Sequence, residues 1–231
     1  SRPLLALVSR QAGATDPASL GAMTLSMLAG ADGRQRKAVE GLTRALAATR
    51  PTPDVVLLSN ALLLGLATPL SAALEVPVVC TLQGEDVFLD ALPEAEREAA
   101  WTLISHRART ANKLVAVSHF YAAEMTRRMS LEADTVAVAH NGIDLSGYEP
   151  ADAAPQPPTI GFLARLCDDK GLSRLVDAYI ALRQTWEGPA PALWLGGAST
   201  ARDAAELGAA TKRLADAGVA DKLKLRPNMS L

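Results

Sequence analysis

Thr159-Ile160-Gly161-Phe162-Leu163-Ala164-Arg165-Leu166-Cys167-Asp168-Asp169-Lys170-Gly171 is the stretch on which the fold of this chain turns. The apolar run over 159–164 reads as a strand ending at Arg165. Lys170 then opens a helix over 170–183, because Leu172, Leu175, Val176, Tyr179 and Leu182 repeat on one 3.6-residue face. A strand feeding straight into a helix is the repeating unit of a parallel sheet. The ligand crevice of such a sheet lies outside the carboxyl ends of its strands, where helices aim unpaired N–H groups at anions. Arg165 and Lys170 stand at that mouth, so a diphosphate clamp is expected. In isolation, Arg-x4-Lys-Gly also reads as two ordinary solvated charges, the common state of such residues.

Reading upstream, 135–139 is a short apolar strand that runs through His140 into the turn Asn141-Gly142-Ile143-Asp144. A linker rich in proline and alanine follows, through Tyr148, Pro150 and Pro155 to Pro158. The order of strand, Asn-Gly-Ile-Asp, linker, strand and Arg-x4-Lys-Gly resembles the domain junction and donor-phosphate motif of family 4 glycosyltransferases. That resemblance implies the GT-B fold, an α/β arrangement of two Rossmann-like parallel-sheet domains. It divides the chain into 1–150, an acceptor-side domain incomplete at its start, and 151–231, a partial donor-binding domain.

The remaining sequence keeps the same rhythm. Asp16-Pro17 is a credible helix start, and Val39, Leu42 and Leu46 mark a helix that ends before Pro51. Strands are expected over 54–60, 76–82 and 113–117, and helices over 62–74, 93–111 and 118–129, the last capped by Ser118. After the linker come strand 192–195, helix 201–217 and strand 222–226. Continuous apolar strands alternating with helices predict parallel sheets covered on both faces.

Composition excludes several classes. With 231 residues, 49% of them apolar, the chain can bury a substantial core, and a net charge of −2 gives no pull toward nucleic acid. Basic groups at Arg34, Arg36 and Lys37, at Arg107 and Arg109, and at Arg127 and Arg128 read as solvated helix faces, with weak contact to a membrane surface as the lesser reading. No apolar run approaches the roughly 20 residues of a membrane span, and no signal-peptide pattern is present. The expected location is cytoplasmic, extending at most to the inner membrane surface. Cys80 and Cys167 read as free thiols, and His106, His119 and His140 lack metal-ligand spacing, so no metal site is expected. Neither GxGxxG nor a Walker pattern occurs, which weakens dehydrogenase and nucleotidase readings. Ser118 and His119, adjacent on a helix, point about 100° apart and lack a Gly-x-Ser-x-Gly elbow, which argues against hydrolase chemistry.

Two further turns fall at strand ends. Gln83-Gly84-Glu85-Asp86 follows the strand ending at Leu82 and offers groups suited to sugar hydroxyls; a plain helix-capping loop is the alternative. Gly196-Gly197 follows the strand ending at Leu195. In the family that the chain resembles, the first turn commonly reads Thr-x-His-Gly-x-Asp, and Gln83 stands here in place of the histidine. The second turn there forms a wall of the nucleotide pocket.

The resemblance, covering about residues 32–226, therefore implies transfer of a sugar from a nucleotide-diphosphate sugar to an acceptor hydroxyl, with retention at the anomeric carbon and no cofactor. Arg165 and Lys170 would stabilise charge on the departing diphosphate. Gly161, Arg165, Lys170, Gly171, Gly196 and Gly197 would form the donor side. Gln83, Gly84, Glu85, Asp86, Asn141, Gly142 and Asp144 would line the cleft on the acceptor side. The acceptor itself, a glycan, a lipid or a small molecule, is left open. Nothing before Asp32 matches the Gly-rich loop with which the family begins, and the chain stops before the family's late glutamate pair, so a fragment of low activity is expected. The competing readings are a non-catalytic nucleotide-sugar-binding module and a GT-B nucleotide-sugar 2-epimerase.

Overall fold

A computed structural model of the chain describes residues 17–201 and 203–228. They form two compact units that divide between Asp144 and Leu145.

The first unit begins with helices α1 (Pro17–Ala29) and α2 (Arg36–Ala47). It continues with β1 (Val56–Leu58), a 3-10 turn (Ala61–Leu66), α3 (Ala67–Leu74), β2 (Val78–Leu82), α4 (Glu85–Asp90), α5 (Glu94–Ala108), β3 (Lys113–Ala116), α6 (His119–Arg128) and β4 (Val136–Val138). The four strands are parallel and ordered β1-β2-β3-β4. The second unit contains β5 (Thr159–Leu163), a 3-10 turn (Asp168–Lys170), α7 (Leu172–Thr185), β6 (Ala192–Gly197), α8 (Asp203–Asp216) and β7 (Leu223–Pro227), again parallel and in sequence order.

Both cores lie on one side of their sheet. In the first unit Val78, Cys80, Leu82, Leu114 and Ala116 point into a cluster with Leu64, Leu70, Ile104 and Met125 from the helices. In the second, Leu193 and Leu195 meet Leu172, Val176, Tyr179 and Leu214. The opposite faces are partly open: Leu57 is 63% exposed, Leu163 80% and Trp194 48%. This corrects the expectation of sheets covered on both faces. A right-handed crossover between neighbouring parallel strands taken in sequence order always lays its helix on the same face. The burial of β2 accordingly alternates from residue to residue.

A second correction concerns the helix expected over 62–74, which is a 3-10 turn followed by an α-helix from Ala67. Pro69 has no N–H to donate, so it is tolerated in the first turn of a helix and not within one. The helix restarts two residues before it. Ser118 caps α6 as expected, its hydroxyl accepting from Tyr121 N–H at 3.1 Å.

On the outer face of α6, Glu124 accepts hydrogen bonds from Arg127 and Arg128, which lower its carboxyl from the ordinary value of 4.5 to about 2. A carboxyl depressed by folding stabilises the native state above its unfolded value and loses that contribution as pH falls through the folded one. Stabilisation from Glu124 should thus be complete above pH 4.5 and fade toward pH 2. A carboxyl carbon titration by NMR checks this; a midpoint near 4.5 would mean that the arginines do not hold it.

Candidate functional site

Strand register places the site residues at two sheet edges. In the first unit Leu82 pairs with Ala116 and Ala116 with Val138, so β2, β3 and β4 end level with one another. Gln83, Ser118, His119, His140 and Asn141 therefore leave the sheet along one carboxyl edge. Gln83 and Asn141 are brought into contact, the Asn141 amide donating to the Gln83 carbonyl at 3.4 Å. Gly84 takes φ 99 as the residue that opens α4, and Asp86 is half-buried with its N–H 3.5 Å from the Tyr121 hydroxyl. Gly142 and Asp144 follow as exposed backbone.

Glu85 departs from expectation. It does not face an acceptor: it is buried, and both of its carboxylate oxygens accept hydrogen bonds from within the unit. Its charge is also felt nearby. Burial, and next the charge of Glu85, raise the Tyr121 hydroxyl well above the ordinary phenol value, and the same two causes push the Cys80 thiol to about 12. Cys80 is an inert core thiol for that reason.

In the second unit Leu163 pairs with Gly196, and the two chains leave the sheet side by side, Ala164 N–H donating to Gly196 O at 3.2 Å and Leu166 N–H to Ala198 O at 2.8 Å. Gly197 lies so close to this strand end that a β-carbon there would sit 1.9 Å from the Ala164 carbonyl oxygen. Arg165 is half-exposed. Its Nη2 pairs with Asp169 at 2.9 Å, and its Nε lies 3.0 Å from Cys167 Sγ and 3.7 Å from buried Asp203. The Cys167 contact, opposed by partial burial, and then the nearby acids raise its guanidinium above the ordinary value, so it stays protonated. Lys170, by contrast, is exposed and makes no ion pair among the described residues.

The loop between them is braced from two sides. Asp168 N–H donates to Glu206 of α8 at 2.8 Å, and the Asp168 carboxylate accepts from Ser173 N–H at 3.1 Å in the first turn of α7. Gly171, at φ 87, opens that helix, and Gly196 is buried near the end of β6. Gly161 stands two residues before the end of β5. With Leu163, Trp194, Gly196, Lys224 and Arg226 it lines a groove of about 510 Å³ on the open sheet face.

Chemically, the second edge offers one oriented guanidinium, one exposed ammonium and the start of a helix, a set suited to an anion with several oxygens. Sequence reasoning missed Asp203 and Glu206, which orient the loop, and Tyr121, which holds Glu85. The first two were signalled by acids in the opening turn of a helix. Tyr121 had only its place on the buried face of α6 beside Ala122 and Met125. Among the described residues no cluster of three or more metal-ligating side chains occurs, and no helix is long and apolar enough to cross a membrane.

The family model for Glycosyltransferase Family 4 matches residues 27–146. Among solved structures, the chain is similar to HepE from Anabaena in complex with UDP and glucose, at TM-score 0.63 and 16% identity over 86% of this chain and 54% of that one. It is similar to sucrose-phosphate synthase from Thermosynechococcus elongatus, at 0.64 and 19% over 84% and 50%. A UDP-forming α,α-trehalose-phosphate synthase from Burkholderia xenovorans gives 0.56 and 15% over 86% and 54%. The chain thus spans about half the length of the solved structures it resembles. No curated protein matches it.

Proposed function

Because the chain belongs to glycosyltransferase family 4 and shares the parallel two-sheet α/β architecture of GT-B proteins, we propose that the whole protein transfers a sugar from a nucleotide-diphosphate sugar to an acceptor hydroxyl, with retention at the anomeric carbon. The observation that carries this reading is the braced loop 165–171, with Arg165 oriented by Asp169 and Asp203 and Lys170 exposed beside the opening of α7. The diphosphate is the leaving group. As its bond to the sugar breaks, negative charge grows on its terminal oxygen, and fixed cations stabilise that charge more in the transition state than in the ground state.

Arg165 must share itself between Asp169 and the incoming diphosphate. Asp169 is exposed, with 78% of its side chain accessible, so releasing it costs little. Asp203 is buried and keeps the guanidinium aimed. The Nε of the same guanidinium also lies 3.0 Å from the Sγ of buried Cys167, which helps hold its orientation. The chemistry needs no protein nucleophile and no metal.

UDP is the first donor fragment to test, since HepE is bound to it. Calorimetry of UDP against the 231-residue chain is expected to show binding that weakens with added salt, as a charge clamp requires. With the full-length protein, UDP-glucose should be consumed only when an acceptor is supplied, and NMR of the product should show the α configuration. Absence of UDP binding together with absence of sugar transfer would sink the reading.

A further inference from the structure

The last strand of the second sheet is fastened to its neighbour by a side chain as well as by backbone. Pairing of β6 with β7 runs as far as Gly197 and Pro227. Asn228 N–H then donates to Gly197 O at 2.8 Å, the final backbone bond of the ladder. Beyond it the Asn228 carboxamide takes over, its Oδ1 accepting from Ser199 N–H at 2.8 Å and its Nδ2 donating to Ser199 O at 3.1 Å. The side chain thus acts as one more peptide group.

From Ser199 the connection runs directly into the cap of α8. Thr200 donates to Asp203 Oδ2 through both its N–H and its hydroxyl, each at 2.9 Å, and Asp203 N–H donates back to the Thr200 hydroxyl at 3.3 Å. This is a capping box with aspartate in the position usually held by glutamate. The other carboxylate oxygen of Asp203, Oδ1, stands 3.7 Å from Arg165 Nε. Only one residue, Thr200's neighbour Ser199, therefore separates the Asn228 clip from the cap that faces the guanidinium.

We propose that Asn228 is a positioning residue for Arg165: by holding both the N–H and the C=O of Ser199 it fixes the turn 197–200, and with it the Asp203 carboxylate that aims the guanidinium. The use of that aim for a diphosphate rests on the transferase reading above. Two observations favour this over an ordinary chain reversal. Asn228 takes φ 53, a left-handed conformation that glycine adopts at the least cost, whereas asparagine brings in addition a carboxamide that matches a peptide group donor for acceptor. Asn228 is also exposed, so water could satisfy the same groups. Directing both bonds to Ser199 instead gives the protein a fixed turn.

The test uses the 231-residue chain and needs no turnover. Asn228→Gly suits the left-handed backbone and removes only the carboxamide, whereas Asn228→Asp keeps the acceptor for Ser199 N–H and loses the donor to Ser199 O. In ligand-free NMR spectra Asn228→Gly should move the Arg165 Nε–H resonance and speed exchange at Ser199 N–H roughly tenfold, the loss of one hydrogen bond, while Leu193 and Leu195 within β6 keep their protection. Asn228→Asp should change Ser199 exchange less. Calorimetry with UDP then asks whether the effect passes through the guanidinium. Asn228→Gly should weaken UDP binding by about 2- to 10-fold. In an Arg165→Ala background it should weaken binding no further, since changes that act through one contact are not additive. An unmoved Arg165 resonance, an unchanged UDP affinity, or losses that add in the double variant would overturn the positioning role. Loss of protection throughout β6 would overturn it too, leaving Asn228 a support of the strand alone. Should the parent bind no UDP, the transferase reading fails by itself, and the ligand-free resonance still decides whether Asn228 aims Arg165.

Discussion

Replacing Gly197 by alanine should strongly destabilise the second unit. The residue sits at φ 130, a conformation that L side chains rarely adopt, and the new β-carbon would lie 1.9 Å from the Ala164 carbonyl oxygen and 2.7 Å from its carbon. Neither obstacle is the flexible end of a side chain. Backbone strain of this kind costs about 1–3 kcal/mol, and forcing atoms into an occupied space adds roughly 1–3 kcal/mol more. The sum approaches the whole stability of a small domain, about 5–15 kcal/mol. The change in a unit of this size should lower Tm by at least about 10 °C, measured by calorimetry or circular dichroism. Gly161→Ala is the control: that site has nothing within 4 Å and an ordinary φ, so its Tm should hardly move. If Gly197→Ala melts like the parent, the close approach of the two strand ends is not required by the fold.

The second large effect is expected at Arg165 and Lys170, read in the full-length protein. Arg165→Ala and Lys170→Ala should each weaken UDP binding and lower kcat by roughly 10- to 100-fold, since a hydrogen bond to a charged group contributes about 1.5–3 kcal/mol. The loss in kcat/KM should exceed the loss in UDP affinity, because charge on the diphosphate increases as the sugar leaves. Lys170→Arg should rescue only in part, a planar fork being no substitute for a compact ammonium. Lys212→Ala serves as the neutral control. It removes only an exposed pair with Asp216 one turn along α8, and such pairs contribute little. Kinetics and calorimetry indistinguishable from the parent for both alanine variants would remove the diphosphate clamp.

Much of the architecture was legible because it is local. Apolar runs at Val78–Leu82 and Ala192–Leu195, helical spacing at Leu172, Val176 and Tyr179, and the cap at Ser118 each depend on residues a few positions apart. What the sequence hid is long-range. Glu85 looks like a polar loop residue until partners from 24 and 36 positions away, Ala61 and Tyr121, turn it inward. Gly161 reads as a strand residue that only the resemblance puts on the donor side, and alternation along β5 turns it to the open sheet face. The bracing of Asp168 by Glu206 joins residues 38 positions apart and leaves no mark on local pattern. Face coverage was misjudged for a related reason: an apolar run reports that a strand is buried, but only the order of strands says on which side.

That order has a consequence for how the protein is made. In both sheets each new strand pairs with the one that precedes it in the chain, so a nascent polypeptide can add strands to a growing edge in the sequence in which they leave the ribosome. Synthesis proceeds at about 5–20 residues per second, whereas closing a short loop takes well under a millisecond. Every described βα segment therefore has time to find its neighbour before the next one exists, and none of the described strands has to wait for a distant partner. The temporary edge exposed at each stage is the docking place of the strand about to emerge, which shortens the interval in which a neighbouring polysome could supply the wrong one.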